Sequence, residues 1–426
     1  MNSSTLRIGY ACLNQDISPN NYRVCRKERL TQDSLREVIA HNLLVLELSI
    51  EYNIKNKNRM FRVSSSLIPF GSSELNTVDW ASEFKEDFNR IRLKIKENDI
   101  RVSVHPGQYT VINSNNHTVV NSSIEELKYH AKILNLLATD TSSKMILHIG
   151  GIYGDKEEAK KRFEHVYTNV LDEDIKKYLV IENDDRLYTV EDVLEISSNT
   201  GVPAVFDNLH HEVNPSLGNI DVEQIMQRVI STWSSSDGRP KVHYSQQAIG
   251  KRLGAHSDTI YLDKFESDYH KYFKNIEVDI MLEVKDKNRS FIKVNQLFNP
   301  TQTVLENEWA RYKYWVMARS QNAYNSLRKM FKDNKDINVK EFYRTIDMLR
   351  GDHTSSQGSQ INAFQHIWGY FKDISSNAEK EKYLRLIDGY KQNDSKHREI
   401  YRFLDKLTNK YNVKYLRDSY FFEGEK

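Results

Sequence analysis

The sequence predicts a (β/α)8 TIM barrel over residues 1–299, followed by a smaller all-α domain over residues 300–426. Three observations carry this α/β assignment. Eight short β-rich runs punctuate the first 300 residues, apolar residues recur at helical spacing between them, and no strand pattern appears after about Thr301. A chain of 426 residues exceeds one typical domain, whereas a barrel of this kind takes about 250 residues and leaves room for a second unit.

In order, the runs are LRIGYAC (from Leu6), FRVSSS (Phe61), RVSVH (Arg101), KMILHIG (Lys144), YLVIEN (Tyr178), VPAVFD (Val202), PKVHYS (Pro240) and VDIMLEV (Val278). Segments such as VDWASEFKEDFNRIRLKIKEN lie between them with helical period. Alternating strands and helices imply parallel strands, because each return crossover needs a dozen or more residues. Eight such units favour closure over an open sheet. Beyond Asn299-Pro300, WARYKYWVMARSQNAYNSLRKMF, VKEFYRTIDMLR, INAFQHIWGYFK and EIYRFLDKLTNKYNVKYLRDSYFF are helical in period and rich in Tyr and basic residues. GDHTSSQGSQ, Gly351–Gln360, reads as a loop by its Gly, Ser and Thr content.

The net charge of +2 is unevenly spread. From Thr301 onward 23 Lys and Arg face 17 Asp and Glu, while the preceding residues hold 38 against 42. Bound cations would repair such a deficit in the barrel. The surplus in the helical part fits either DNA-backbone contacts or a solvated helical surface. Cys12 and Cys25 cannot form a disulfide framework and point to a reducing compartment. MNSSTLRIGYACLNQ has no signal-peptide pattern, and no run approaches the ~18 apolar residues of a membrane span. The expectation is a cytoplasmic protein, without membrane contact and monomeric.

Almost every strand from the third onward ends in a residue able to bind a metal. These are His105, His148, Glu182, Asp207 with His210 after it, His243 and Glu283; His256 follows in the loop after the seventh strand. Parallel strands bring these ends to one rim, where catalytic residues of such barrels sit. Five imidazoles, two glutamates and one aspartate suit two or three divalent first-row ions, carboxylates leaning toward Mn²⁺ and imidazoles toward Zn²⁺. Ions ~3.5–4 Å apart stabilise both the attacking and leaving oxygens of a phosphoryl displacement. Lys241 lies two residues before His243 and so shares its barrel face. A protonated lysine repels cations, which leaves phosphate contact or conversion to a metal-bridging carbamate. His366, with no second ligand at a convincing spacing, reads as structural.

At these residues the chain closely resembles the UV damage endonuclease family. The resemblance is carried by IGYACLN, VSVHPGQYTVINS, ILHIGGIYGDKEEA, VIENDDRLYTVEDVL, VFDNLHHEVNP, KVHYS, GAHSD and DIMLEVKDK, in order through roughly residues 6–290. It implies a manganese-bearing barrel that nicks damaged double-stranded DNA immediately 5′ to UV photoproducts, cyclobutane dimers and 6-4 photoproducts, leaving a 3′-hydroxyl and a 5′-phosphate. It implies metal ligands at His105, His148, Glu182, Asp207, His210, His243, His256 and Glu283, and a carboxylatable lysine at Lys241. His211 is passed over, because the family spacing from the aspartate is three. The resemblance matches Gln108 and Tyr109 to a pair inserted at the lesion, with a tight-turn pair after Pro106-Gly107 as the alternative. Tyr10 and Asn14 match residues facing the damaged strand or scissile phosphate. The catalytic candidates are therefore Glu182, Lys241 and Tyr10. IPFGSSE stands where some members carry a histidine, so no catalytic histidine is carried over there. The helical segment resembles a bacterial domain of unknown function. Two other activities fit the same metal rim, an abasic-site endonuclease and a metal-dependent sugar isomerase.

Overall fold

A computed structural model describes residues 6–216, 221–333, 337–351, 355–392 and 396–423. Its sheet is a closed barrel of eight parallel strands in sequence order: β1 (Ile8–Ala11), β2 (Met60–Arg62), β3 (Arg101–Val104), β4 (Lys144–His148), β5 (Leu179–Glu182), β6 (Ala204–Asp207), β7 (Lys241–Tyr244) and β8 (Asp279–Leu282). All eight runs predicted from the sequence are present. The second is shorter than its run, because Ser64–Ser66 leave the sheet after β2. β1 closes on β8 through Ile8↔Ile280 and Tyr10↔Leu282.

The helices between strands start where side chains satisfy their first free N–H groups. Thr31 and Ser34 form a reciprocal capping box for Gln32–Lys55, and Thr189 with Asp192 does the same for Val190–Thr200. Asn116 and Asp155 cap His117–Leu137 and Lys156–Asn169. Leu35, Ile39, Leu43, Leu46 and Ile50 then bury one face of the first helix at the spacing its sequence displays.

Alternation along each strand divides the barrel interior from the layer beneath the helices. Inward residues stack in levels. Arg101 and Asp279 form a buried ion pair of 2.8 Å near the strand starts, and Lys144 meets Asp237 at 2.6 Å. Ile146, Val180 and Val205 pack together, as do Ala11, Met60 and Met281. The polar ends of the strands stand beyond them.

The chain divides into two compact units, residues 1–260 with 264–294, and residues 261–263 with 295–426. The second unit is helical, with Gln302–Arg319, Gln321–Asp333, Val339–Gly351, Gln357–Trp368, Asn377–Gln392 and His397–Lys410 as its main elements. Its tyrosines are largely core residues. Tyr312, Tyr343, Tyr383, Tyr390 and Tyr401 are buried with Phe342, Phe364 and Phe421, and Trp368 stacks on Tyr383 at 4.2 Å. Their abundance in the sequence is therefore a packing signal. The loop expected at Gly351–Gln360 is shorter than its composition implies: Gly351 ends one helix and Ser356 caps the next through Ser359 N–H. The part of that loop at 352–354 lies outside the described residues. His366 is exposed on its helix. Among the described residues no helix is long and apolar enough to cross a membrane.

Candidate metal centre on the barrel rim

Strand register sets the predicted ligands side by side. His148 is the neighbour of Glu182 across β4 and β5, and Asp207 that of His243 across β6 and β7. Glu182 lies at the middle. Its Oε1 accepts a hydrogen bond from His243 Nδ1 at 2.5 Å, while Oε2 is 3.3 Å from His105 Nε2 and 3.6 Å from His148 Nε2. His243 Nδ1 also lies 3.1 Å from Glu283 Oε1, and His256 Nδ1 lies 3.9 Å from Glu283 Oε2. Asp207 caps a short helix through His210 N–H at 2.8 Å, which brings His210 back over the strand end. Imidazole rings continue the circle: His105 to His148 at 5.2 Å, His148 to His210 at 5.7 Å and His210 to His256 at 6.2 Å. The structure thus brings all eight side chains together.

Among the described residues two triads have ligand atoms within 4.8 Å of one another: His105, His148 and Glu182, and Glu182, Asp207 and His243. Glu182 belongs to both. Among the described residues four buried atoms here, Glu182 Oε2, Asp207 Oδ2, His148 Nδ1 and His243 Nε2, make no hydrogen bond. Buried polar atoms are rarely left so, and imidazole and carboxylate groups gathered in this way fit divalent cations.

Electrostatics agree. Burial alone would raise the Glu182 carboxyl, but His243, His105 and His148 hold it well below the usual range. Burial pushes the Asp207 carboxyl up, and Glu182 and Glu283 add to that while His210 opposes it. Burial would lower His210, yet Asp207 and Glu182 carry it up to about 9. Burial dominates at His148 and brings it down to about 4.

Lys241 is inward-facing, fully buried, and its Nζ has no hydrogen-bond partner among the described residues. Burial, then Arg101, drives its pKa well down; Asp279, Arg62 and Lys144 are the other charges acting on it. These charges belong mostly to the level beneath the ring. Gln108 and Tyr109 sit at the tip of a turn closed by Thr110 N–H to Gly107 C=O at 2.9 Å, and both are exposed. The tight turn and the projecting pair are therefore one feature.

Tyr10 and Asn14 are completely buried, with Asn14 Nδ2 donating to Tyr10 Oη at 2.8 Å and Tyr10 Oη donating to Asn53 Oδ1 at 2.7 Å. Gly9 and Ala11 take the inward positions of β1, so Tyr10 points outward, against Phe61 and Phe291. It supports the first helix and does not face the ring. His211, passed over in the sequence, packs against Phe206 outside the circle.

Sequence reasoning missed Arg62 and Asn183. Arg62 ends β2 facing inward and ion-pairs with Glu283; burial would lower its pKa, but Glu283 keeps it firmly charged. Asn183 bonds Asp207 through its amide in both directions, at 2.9 and 3.1 Å, and its carbonyl lies 2.9 Å from His210 Nδ1. A cation at an inward strand position among predicted carboxylates was the available signal for Arg62.

Fold and site together define a TIM-barrel protein whose C-terminal rim carries a histidine–carboxylate centre suited to divalent metals. The profile of the family described as UV-endonuclease UvdE matches residues 6–307, and that of a family of unknown function, DUF1722, matches residues 313–424. The chain is 37% identical to the UV DNA damage endonuclease of Clostridium perfringens (strain 13 / Type A) over 414 residues, covering 95% of this chain and 96% of that relative. It is 33% identical to the UV DNA damage endonuclease of Bacillus cereus (strain G9842), over 64% of this chain and 84% of the relative. The crystal structure of SacUVDE superposes with a TM-score of 0.65 at 37% identity, covering 69% of this chain and 98% of that one. The chain belongs to the UV-endonuclease family and is an endonuclease.

Proposed function

We propose that this endonuclease nicks the damaged strand of duplex DNA immediately 5′ to UV photoproducts, cyclobutane dimers and 6-4 photoproducts, leaving a 3′-hydroxyl and a 5′-phosphate. The observation that carries the reading is the complete rim. Glu182 and seven other ligand-type side chains meet there, and an exposed Gln108–Tyr109 turn projects from the same end of the barrel. Residues 1–299 would form the catalytic domain and residues 300–426 a helical accessory domain.

In this reading His105, His148, Glu182, Asp207, His210, His243, His256 and Glu283 hold two or three divalent ions, Mn²⁺ first among them. Held there, divalent ions would supply Lewis-acid polarisation of the scissile phosphodiester and charge stabilisation for the oxygens that attack and leave. Glu182 binds at the centre of the ring, and Arg62 orients Glu283 through their ion pair. Burial, then Arg101, lowers the Lys241 pKa, which favours the amine form that carries a lone pair. Reaction of that amine with carbon dioxide, with loss of a proton, would give a carbamate whose negative charge suits both the cations above and Arg101 below. Gln108 and Tyr109 enter the duplex where a damaged dinucleotide stacks poorly and costs less to open than an intact step.

The test is incubation of the full chain with Mn²⁺ and three duplexes, carrying one cyclobutane dimer, one abasic site or no lesion. Selective nicking of the dimer strand is expected. Preference for the abasic duplex, or no scission by a metal-loaded protein, would overturn the reading.

A further inference from the structure

Among the described residues the four most exposed large apolar side chains are Tyr109, Ile249, Val24 and Leu253, at 84, 79, 71 and 67%. Every one lies on a loop that leaves the C-terminal end of a barrel strand: β3 for Tyr109, β1 for Val24, and β7 for Ile249 and Leu253. One such residue needs no explanation, but four on the face that carries the metal centre indicate a contact surface. Tyr109 already has a part in the proposed reading. Ile249 and Leu253 have none.

Their loop is a built hairpin. Gln247 and His256 pair as an antiparallel bridge, and Ala248 N–H donates to Ala255 C=O at 2.7 Å. The Gln247 side chain fastens the interior: its amide donates to Ala248 C=O and Arg252 C=O at 3.0 and 2.9 Å, and its Oε1 accepts from Gly254 N–H at 2.8 Å. Gly250 and Gly254 adopt φ of 69° and 78°, and a Cβ at Gly254 would stand 2.8 Å from Asp185 Oδ2 on the β5 loop. The foot of the hairpin carries His256 into the metal ring, 6.2 Å ring to ring from His210. At its tip Lys251 and Arg252 lie between the two apolar residues, and neither pairs with a carboxylate among the described residues. A rigid stalk that holds aliphatic side chains in water, flanked by unpaired cations, matches the chemistry of an apolar wedge for a base step with contacts for the phosphates beside it.

We propose that the β7 hairpin, residues 247–256, is a second DNA-opening element. Ile249 and Leu253 press into the duplex at the distorted step, and Lys251 and Arg252 hold adjacent phosphates. This rests on the UV-damage reading and assigns it a second point of entry, separate from Gln108 and Tyr109. Because the stalk is shared with His256, correct seating of the wedge also fixes the DNA against the metal centre.

The experiment uses the Mn²⁺-loaded full chain and a dimer-containing duplex with an uncleavable phosphonate 5′ to the lesion and 2-aminopurine in the opposite strand. Ile249→Ser/Leu253→Ser should weaken binding at least about tenfold, as loss of buried apolar contact predicts, and should suppress the 2-aminopurine fluorescence rise, with metal content unchanged. Lys251→Ala/Arg252→Ala should reduce the slope of log affinity against log salt by about two, at about 0.9 per lost phosphate contact. Both pairs are surface residues, so folding is not at stake. Lesion binding and fluorescence within twofold of the parent for the first variant would overturn the wedge. A parent chain that does not distinguish dimer from intact duplex would instead overturn the UV-damage reading beneath it.

Discussion

Replacing Glu182 by Gln preserves size and removes charge, so it separates metal holding from packing. Among the described residues Glu182 is the member common to both ligand triads. It receives His243 Nδ1 at 2.5 Å and stands 3.3 and 3.6 Å from His105 and His148. The effect on folding is small. A charge-assisted hydrogen bond contributes about 1.5–3 kcal/mol and a neutral one about 1 kcal/mol, so roughly 1 kcal/mol is lost. Relief of the desolvation cost of a buried carboxylate offsets part of this. For a unit of this size the metal-free Tm should move by about 2–4 °C. The effect on metal is large. Groups that merely hydrogen-bond to a ligand cost about 10- to 100-fold in affinity when altered. Removing a carboxylate shared by two triads should therefore cost at least about 100-fold in Mn²⁺ affinity, near 2.7 kcal/mol. Calorimetric titration with Mn²⁺ and thermal unfolding with and without the ion read both quantities. In the parent, Mn²⁺ at a hundred times its Kd should add about 2.7 kcal/mol of stability; Glu182→Gln should lose that gain while its metal-free Tm stays within about 2–4 °C of the parent's. Parental Mn²⁺ affinity in the variant would refute the shared-ligand assignment. A collapsed metal-free Tm would show that Glu182 is a structural residue.

Gln108→Ala should reduce discrimination between dimer and intact duplex by about tenfold while leaving Mn²⁺ stoichiometry intact, read by competitive binding and elemental analysis. Asp279→Ala strands the buried Arg101 guanidinium and should cost about 3–5 kcal/mol in denaturant unfolding; because the pair lies at the strand starts, Mn²⁺ affinity of the folded fraction should not change. The protonation of His210 sets a pH dependence. Its pKa is raised to about 9, so the proton that stabilises the metal-free fold is fully present below about 6.5 and lost as pH rises through about 9. A metal must displace that proton, so Mn²⁺ affinity should climb up to about tenfold per pH unit across this window and then level off. A flat affinity profile between pH 6.5 and 9 in calorimetry would exclude His210 from the ligand set.

The barrel was legible because its strands advertise themselves twice, through β-branched runs and through a polar residue at each later C-terminal end. His105, His148, Glu182, Asp207, His243 and Glu283 could be placed on one rim from strand direction alone. What was not legible depends on which face each residue takes near a strand end. Tyr10 and Arg62 are both adjacent to the rim in sequence, yet the small inward residues Gly9 and Ala11 turn Tyr10 outward, while Arg62 follows Met60 inward to Glu283. Lys241 shares a face with His243, as its spacing implies, but the charges around it are mostly those of the level below. The tyrosines of the second unit show a different limit, since composition cannot distinguish an aromatic core from an aromatic surface. The β7 hairpin left almost no periodic signal. Its shape comes from Gln247 bonding across the turn and from two glycines in the left-handed region.

The most direct test of the central claim is mapping the cut at single-nucleotide resolution on a duplex with one cyclobutane dimer, using metal-depleted full chain with and without added Mn²⁺. One Mn²⁺-dependent break is expected in the damaged strand, at the phosphodiester immediately 5′ to the dimer, with a 3′ end that a polymerase can extend. A break elsewhere, an end that cannot be extended, or equal cutting in the presence of a chelator would contradict it.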